Sequence, residues 1–378
     1  MVTPPVRDQS RVGSRSGRPF PNRPKIAVKQ NLLYPKHQSN GAQLLPRDQH
    51  QPLLSYGDVP AEYEAATQSA VIFDETDRGQ VKVSGADSAA FLNRILSNQV
   101  LELEVGEGNR NLLLTGKGKI LFDFDLSRVE GGFLLSIGAG QAAALAQGID
   151  MYLFAEDAKI TDTSEESAPL LASGPRSEEL LAKIFPALPQ EDHQFVEAQF
   201  AGKTVIITKV APYGHTAYRI DGGPEQAGEL WSALVEANLT PTGRIVSDIT
   251  RVTACRAVFG EDIDSNVYPQ EARLEEAYNL SKGCYIGQEV VAKIDTYGGI
   301  NKRLCTLRIS HSDPLPPGTR LFRWSEEKEE WRDLGVVTSW AYSFEHDTGQ
   351  VLAYIKRRHQ EPGTTFRVDD GPAEATVL

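Results

Sequence analysis

Cys284 lies in the run SKGCYIGQEVVAKIDTYGGINKR (281–303), between a lysine–glycine pair and an aromatic. Lys282 and the amides of a Gly-flanked turn both favour a thiolate, the form in which cysteine attacks carbon, sulfur or metal. On its own the residue has three readings: nucleophile, metal ligand or inert small hydrophobe. No CxxC or Cys/His cluster accompanies it, so no metal site is expected. Cys305 alternates with Leu307 and Ile309 along a strand pattern and reads as packed core, and Cys255 reads similarly on a helix. A second candidate is the acid pair Asp123 and Asp125 in KILFDFDL, suited to general-base work or to binding an amine. Equally, the two are the solvated face of a half-buried strand. The loop GEDIDSNVYPQEARLEEA holds six carboxylates against Arg273, at spacings that do not suit calcium. Residues 282–308 carry Lys282, Lys293, Lys302, Arg303 and Arg308 against Glu289 and Asp295. A basic patch beside an acidic one suits a ligand with a hydrogen-bonding head and an anionic tail.

Elements of both kinds must position these groups. GQVKVS (79–84) alternates as a strand, and Asp87 stands where a cap would precede a helix pairing Phe91/Ile95 and Leu92/Leu96. NLLL, the turn Thr115-Gly116-Lys117-Gly118-Lys119 and ILFDFDLSRV form a hairpin that places Asp123 and Asp125 on one face. Strands and helices then mix through about residue 240, which predicts an α+β fold with a ferredoxin-like unit at about 130–240. Beyond residue 301, short strands divided by Gly and Pro predict a small β-barrel over 301–378.

The first 48 residues hold nine Lys/Arg against two Asp, leaving 30 Lys/Arg against 49 acids in the remainder. Residues 1–50 read as a disordered basic tail rich in Pro, Arg and Ser, with order beginning near Tyr56. Few acids and many Arg and Ser also fit an organelle transit peptide, which the five prolines up to Pro24 oppose. The body's negative charge argues against stable nucleic-acid binding. With no apolar run of membrane length, no signal-peptide pattern and three scattered cysteines, the expected compartment is the cytoplasm. An organelle matrix replaces it if the tail is a transit peptide.

KGCYIGQE (282–289) followed by GGINKRL (298–304) is similar to the signature of the folate-binding YgfZ-type proteins. These support iron–sulfur cluster maturation and are relatives of the aminomethyltransferase (T-protein) of glycine cleavage. The likeness runs over about residues 56–375. It implies a three-domain clover-like fold, with residues 51–300 an aminomethyltransferase-like folate-binding region. It also implies a central channel for tetrahydrofolate or a one-carbon derivative. By the same resemblance Glu271, in PQEARL, holds the pterin, and Lys282, Gln288, Lys302 and Arg303 belong to the cofactor site. Cys284 becomes a functional thiol beside the folate. Where two adjacent acids are expected this chain has Phe122-Asp123, and PYGHTAYRI (212–220) replaces the T-protein pattern Tyr-Thr-Gly-Glu-Asp-Gly-Phe-Glu. The resemblance therefore implies a tetrahydrofolate-binding factor whose partners are iron–sulfur assembly machinery or client proteins. The alternatives are a tetrahydrofolate-dependent aminomethyltransferase using Asp123, and a tRNA-modification accessory protein.

Overall fold

The computed structural model describes residues 31–44 and 53–378. Its first sheet is antiparallel, in the order Gly108–Leu114, Ile120–Val129, Gly132–Ile137, Gly79–Ser84, Lys159–Asp162. Alternation along these strands sends Val81, Val83, Phe124, Leu126 and Leu135 into one core with Phe91, Leu92 and Ile95 of the helix Ser88–Ile95. Asp87 is the residue preceding that helix, but its carboxylate accepts the Asp157 N–H (2.8 Å) instead of capping.

A second sheet runs Phe195–Phe200, Lys203–Val210, Ala217–Gly222, Ala168–Ser173, Val71–Asp74, Thr240–Pro241, and only the last pair is parallel. The helices Ser177–Leu181 and Ala227–Glu236 pack on it around Trp231, Tyr218 and Phe185. The predicted unit at 130–240 is thereby divided. Gly132–Ile137 and Lys159–Asp162 both pair with Gly79–Ser84 in the first sheet. The reason is local: the tight turn through Gly131 and Gly132, both at positive φ, folds Gly132–Ile137 back onto Ile120–Val129.

The strands between Lys302 and Val377 close into a six-stranded antiparallel barrel around Leu307, Ile309, Val351 and Ile355. The helix Arg244–Thr253 bridges the parts. Its Ile249 and Val252 join Leu112, Leu114 and Ile120 of the first sheet and Leu304, Leu352 and Tyr354 of the barrel in one core. No helix among the described residues is long and apolar enough to cross a membrane.

One expectation needs correction. Residues 31–44 are not tail: Tyr34–Ser39 is a helix, Gln43–Leu44 pairs with Leu53–Ser55, and Leu33 and His37 are buried. The His37 ring is held by Tyr56 Oη and Asp74 Oδ2, each at 2.7 Å, and lies edge-on to Trp231. Burial of two side chains one helical turn apart offsets the cost of ordering so short a segment. Residues 1–30 and 45–52, the rest of the predicted tail, lie outside the described residues.

Candidate functional site

The signature loop is shaped by its own polar groups. Gly287 has φ +81°, and a Cβ there would fall 2.5 Å from the Thr115 carbonyl and 2.9 Å from Gly118 Cα. The hairpin turn 115–119 and the start of the helix Gln288–Tyr297 therefore touch backbone to backbone, which only glycine permits. The Gln288 side chain donates to the Leu280 carbonyl (3.3 Å) and the Lys282 ammonium donates to the Asn93 carbonyl. Burial lowers the Lys282 pKa to about 8. Both side chains hold the loop in place, and between them Cys284 is exposed. Cys255 is half-buried and Cys305 buried, and burial raises both thiols.

Glu271 lies at a different place, the junction with the barrel. It is buried, its Oε2 accepts the Tyr268 N–H (3.0 Å), and its carbonyl accepts the Leu304 N–H (2.8 Å). Lys119 lies 3.9 Å from that carboxylate and 3.2 Å above the Tyr268 ring. Lys302 sits over the ring of Tyr354, whose buried hydroxyl lacks a partner, and Arg303 pairs with Glu275 at 2.5 Å. Glu271, Lys302 and Arg303 thus share one junction, whereas Cys284, Lys282 and Gln288 share the loop.

Asp123 and Asp125 do share a face, as expected, but neither is a free base. Arg110 Nε and Nη2 grip both oxygens of Asp123 at 2.8 and 2.6 Å, and Arg110 also reaches Glu276 (3.3 Å). A carboxylate in such a fork is committed to its guanidinium. Asp125 accepts from Arg219 Nη1 (2.8 Å), which also grips Glu75 through Nε (2.8 Å). Burial alone would raise Asp125, but Arg219, His193, Arg78 and Arg110 override it and hold the group far below the usual carboxylate range.

Glu75 carries this network to the wall of a cavity. Two cavities meet at Tyr213. The inner, of about 120 Å³, is lined by Asp74, Glu75, Asp77, Thr242, Arg244 and Ser247 among others. The outer, of about 620 Å³, is lined on its polar side by Tyr63, Glu178, Lys209, His215, Thr250 and Thr253. His215 Nε2 is 2.8 Å from Ser173 Oγ, and burial lowers its pKa. Burial raises Asp77 to about 7, helped by Asp74 and Glu75 and opposed by Arg78. None of the residues predicted for catalysis or cofactor binding lines either cavity. The residues that do were missed, although two signals were present. DETDR (74–78) packs four charges into the link between two strands, and PYGHTAYRI departs from the transferase pattern where Tyr213 and His215 stand.

Two sheets and a closed barrel joined by the helix Arg244–Thr253 define an α+β architecture, and the paired cavities lie beside its second sheet. The family model described as "GCVT N-terminal domain" matches residues 33–282, and the chain belongs to this family, that of the glycine cleavage T-protein. It is similar to the aminomethyltransferase of Chlorobium limicola, 26% identical over 354 residues covering 90% of this chain and 95% of that one. The aminomethyltransferase of Rubrobacter xylanophilus is 27% identical, covering 93% of each chain. Among solved structures, the glycine cleavage system aminomethyltransferase T from Bartonella henselae superposes with a TM-score of 0.81. Its identity is 23%, over 93% of this chain and 97% of that one.

Proposed function

We propose that this chain binds tetrahydrofolate, or a one-carbon derivative of it, and acts as a folate-dependent aminomethyltransferase-like protein. The observation that carries the reading is the cavity pair at Tyr213, in a chain that covers aminomethyltransferases almost end to end. The outer volume is in the usual range for a small organic ligand, roughly 300–1,000 Å³. The inner pocket offers carboxyl groups to ring N–H donors, and Lys209 offers a cation to an anionic tail. Bound there, the folate would supply the ring amines that accept a one-carbon unit. The chain's own part is to orient the ring, exclude water and hold a proton at Asp77. On this reading Glu271, Lys302 and Arg303 at the barrel junction and Lys282 and Gln288 in the signature loop lie outside the cavity walls, and so does the Cys284 thiol. The test is to mix the protein with an aminomethylated lipoyl carrier protein and tetrahydrofolate and to measure methylene-tetrahydrofolate. Turnover above the protein-free rate is expected; none would remove the transferase reading.

A second reading is favoured by the Arg110 fork on Asp123 and by the exposure of Cys284. In it the folate-binding protein supports iron–sulfur cluster assembly or repair, with Cys284 as the working thiol. Its test is rescue of an iron–sulfur enzyme defect in a host lacking a family member. Wild type rescues and Cys284→Ala does not; equal rescue by both returns Cys284 to the inert class.

A further inference from the structure

The barrel strands Arg320–Ser325 and Glu330–Ser343 form a hairpin whose outer end carries cations without matching acids. Arg323 stands directly opposite Arg332 in this ladder, and Trp324 opposite Trp331. Facing residues of an antiparallel pair have Cα atoms only about 5 Å apart, and like charges so placed repel. Alternation sends the tryptophans to the other face of the ribbon. There they meet edge to face at 5.8 Å, and Arg367 lies 3.9 Å above the Trp331 ring and 5.9 Å above Phe322. This stack stiffens the ribbon and holds the arginine rung in place. The end of the strand Thr348–Lys356 and the residues after it build the rest of the cluster. His359 Nδ1 lies 3.5 Å from Arg323 Nη1, and Lys356 Nζ donates to the Asp333 carbonyl (2.9 Å). Other cations at this end of the barrel have acids: Arg320 meets Asp333 at 3.4 Å, and Arg367 meets Asp370 at 3.3 Å. Among the described residues no Asp or Glu lies within 4.0 Å of Arg323, Arg332 or Lys356. A chain of net charge -12 has acids to spare, yet none is placed here.

We infer that Arg323, Arg332, Lys356 and His359 form a binding site for the phosphate group of a small soluble ligand, such as a phosphate ester or a diphosphate. A guanidinium only donates, so the His359 Nδ1 facing Arg323 is the lone-pair nitrogen and Nε2 carries the imidazole proton. The cluster therefore offers donors alone: two guanidinium forks, an ammonium and an imidazole N–H. A carboxylate has two oxygens and one charge, and a single fork satisfies it. A phosphate has the oxygens and the charge to engage both forks at once. Burial, and then Arg323, Arg332 and Lys356, lower the His359 pKa, in agreement with cations gathered around that ring. The turn beyond the rung works against larger polyanions. Glu326, Glu327, Glu329 and Glu330 outnumber Lys328 there, so a membrane surface or a nucleic-acid strand would meet them on its way to the arginines. None of the four site residues lines the paired cavities, and the inference stands apart from the folate reading.

The experiment is a calorimetric titration of the full chain with sodium pyrophosphate at fixed ionic strength, using wild type, Arg323→Gln and Arg332→Gln. Arg176→Gln, at an exposed arginine paired with Glu179, is the control for general loss of charge. Wild type and the control are expected to show one saturable site of equal affinity, and each rung variant to bind at least about tenfold more weakly. Acetate should bind wild type at least about tenfold more weakly than pyrophosphate does. Pyrophosphate should also raise the thermal midpoint of wild type and leave that of Arg332→Gln unmoved, which separates a lost site from a damaged fold. No saturation of wild type up to about 5 mM overturns the site, and so does equal binding by the rung variants. Acetate binding as tightly as pyrophosphate overturns the choice of phosphate. Tighter binding to phosphatidylserine vesicles or to a short oligouridine, lost in the rung variants, overturns the soluble ligand in favour of a lipid surface or a nucleic acid.

Discussion

Asp123 and Asp77 show how little a residue type says about its charge. Asp123 lies within a strand that the sequence makes legible and Asp77 just before one, yet the first is gripped by a guanidinium and the second is crowded by carboxylates. For Asp77 the unfolded pKa is near 3.9 and the folded one about 7, so the folded state binds the extra proton between those values. The Asp77 contribution to stability is therefore fully present below about pH 4 and is lost as pH rises through 7. Asp77→Asn should match wild type at pH 4 and exceed it at pH 8 by on the order of 2 kcal/mol in urea unfolding, allowing for partial exposure. Equal midpoints for the two proteins at pH 8 would refute the crowding argument. Asp125 titrates in the opposite sense, its contribution being lost only as pH falls below the ordinary carboxylate range. Asp123→Asn should cost about 3 kcal/mol by leaving Arg110 without its fork, and the loss should appear in unfolding measurements whether or not ligand is present. The shared face of the two acids was legible from strand alternation. The arginines were not, because the hairpin register slips at Leu113/Leu114 and pairing across sheets has no local signal.

At the scale of elements, the signature run is explained by contact between two glycine turns. Gly287→Ala must strain a left-handed backbone and push a methyl into the Thr115 carbonyl. A loss of about 2 kcal/mol is expected, together with faster modification of Cys284 by a thiol reagent as the loop detaches. Unchanged Cys284 reactivity in a folded variant would show that the loop is held by other contacts. The N-terminal segment is the element that sequence reasoning lost. YPKHQS is too short for a helical period, and its proline-rich flank reads as tail. Leu33 and His37 at four-residue spacing were the one visible trace of a buried face. His37→Ala should release this segment, exposing it to limited proteolysis and costing on the order of 3 kcal/mol by stranding Asp74. Resistance to protease equal to wild type would mean that Leu33 and Lys36, which donates to Gly228, suffice to hold it.

For the whole molecule, the α+β class and the closing barrel were legible because their signals are local: alternation, turn residues and short strands between Gly and Pro. The cavities were not, because their walls come from residues 31, 53, 63–77, 174–178, 209–216 and 242–254, which no pattern links along the chain. Sequence motifs drew attention to Glu271, at the barrel junction, and to Cys284, in an exposed loop, and away from the space around Tyr213. The central claim is that a reduced folate occupies that space. It is tested most directly by calorimetric titration of the full chain with tetrahydrofolate, comparing wild type with Tyr213→Ala and Glu271→Ala. The account predicts one saturable site, weakened at least about tenfold in Tyr213→Ala and changed less than about threefold in Glu271→Ala. Binding that survives Tyr213→Ala but is abolished in a folded Glu271→Ala would move the site to the barrel junction, and no saturable binding by wild type would contradict the claim outright.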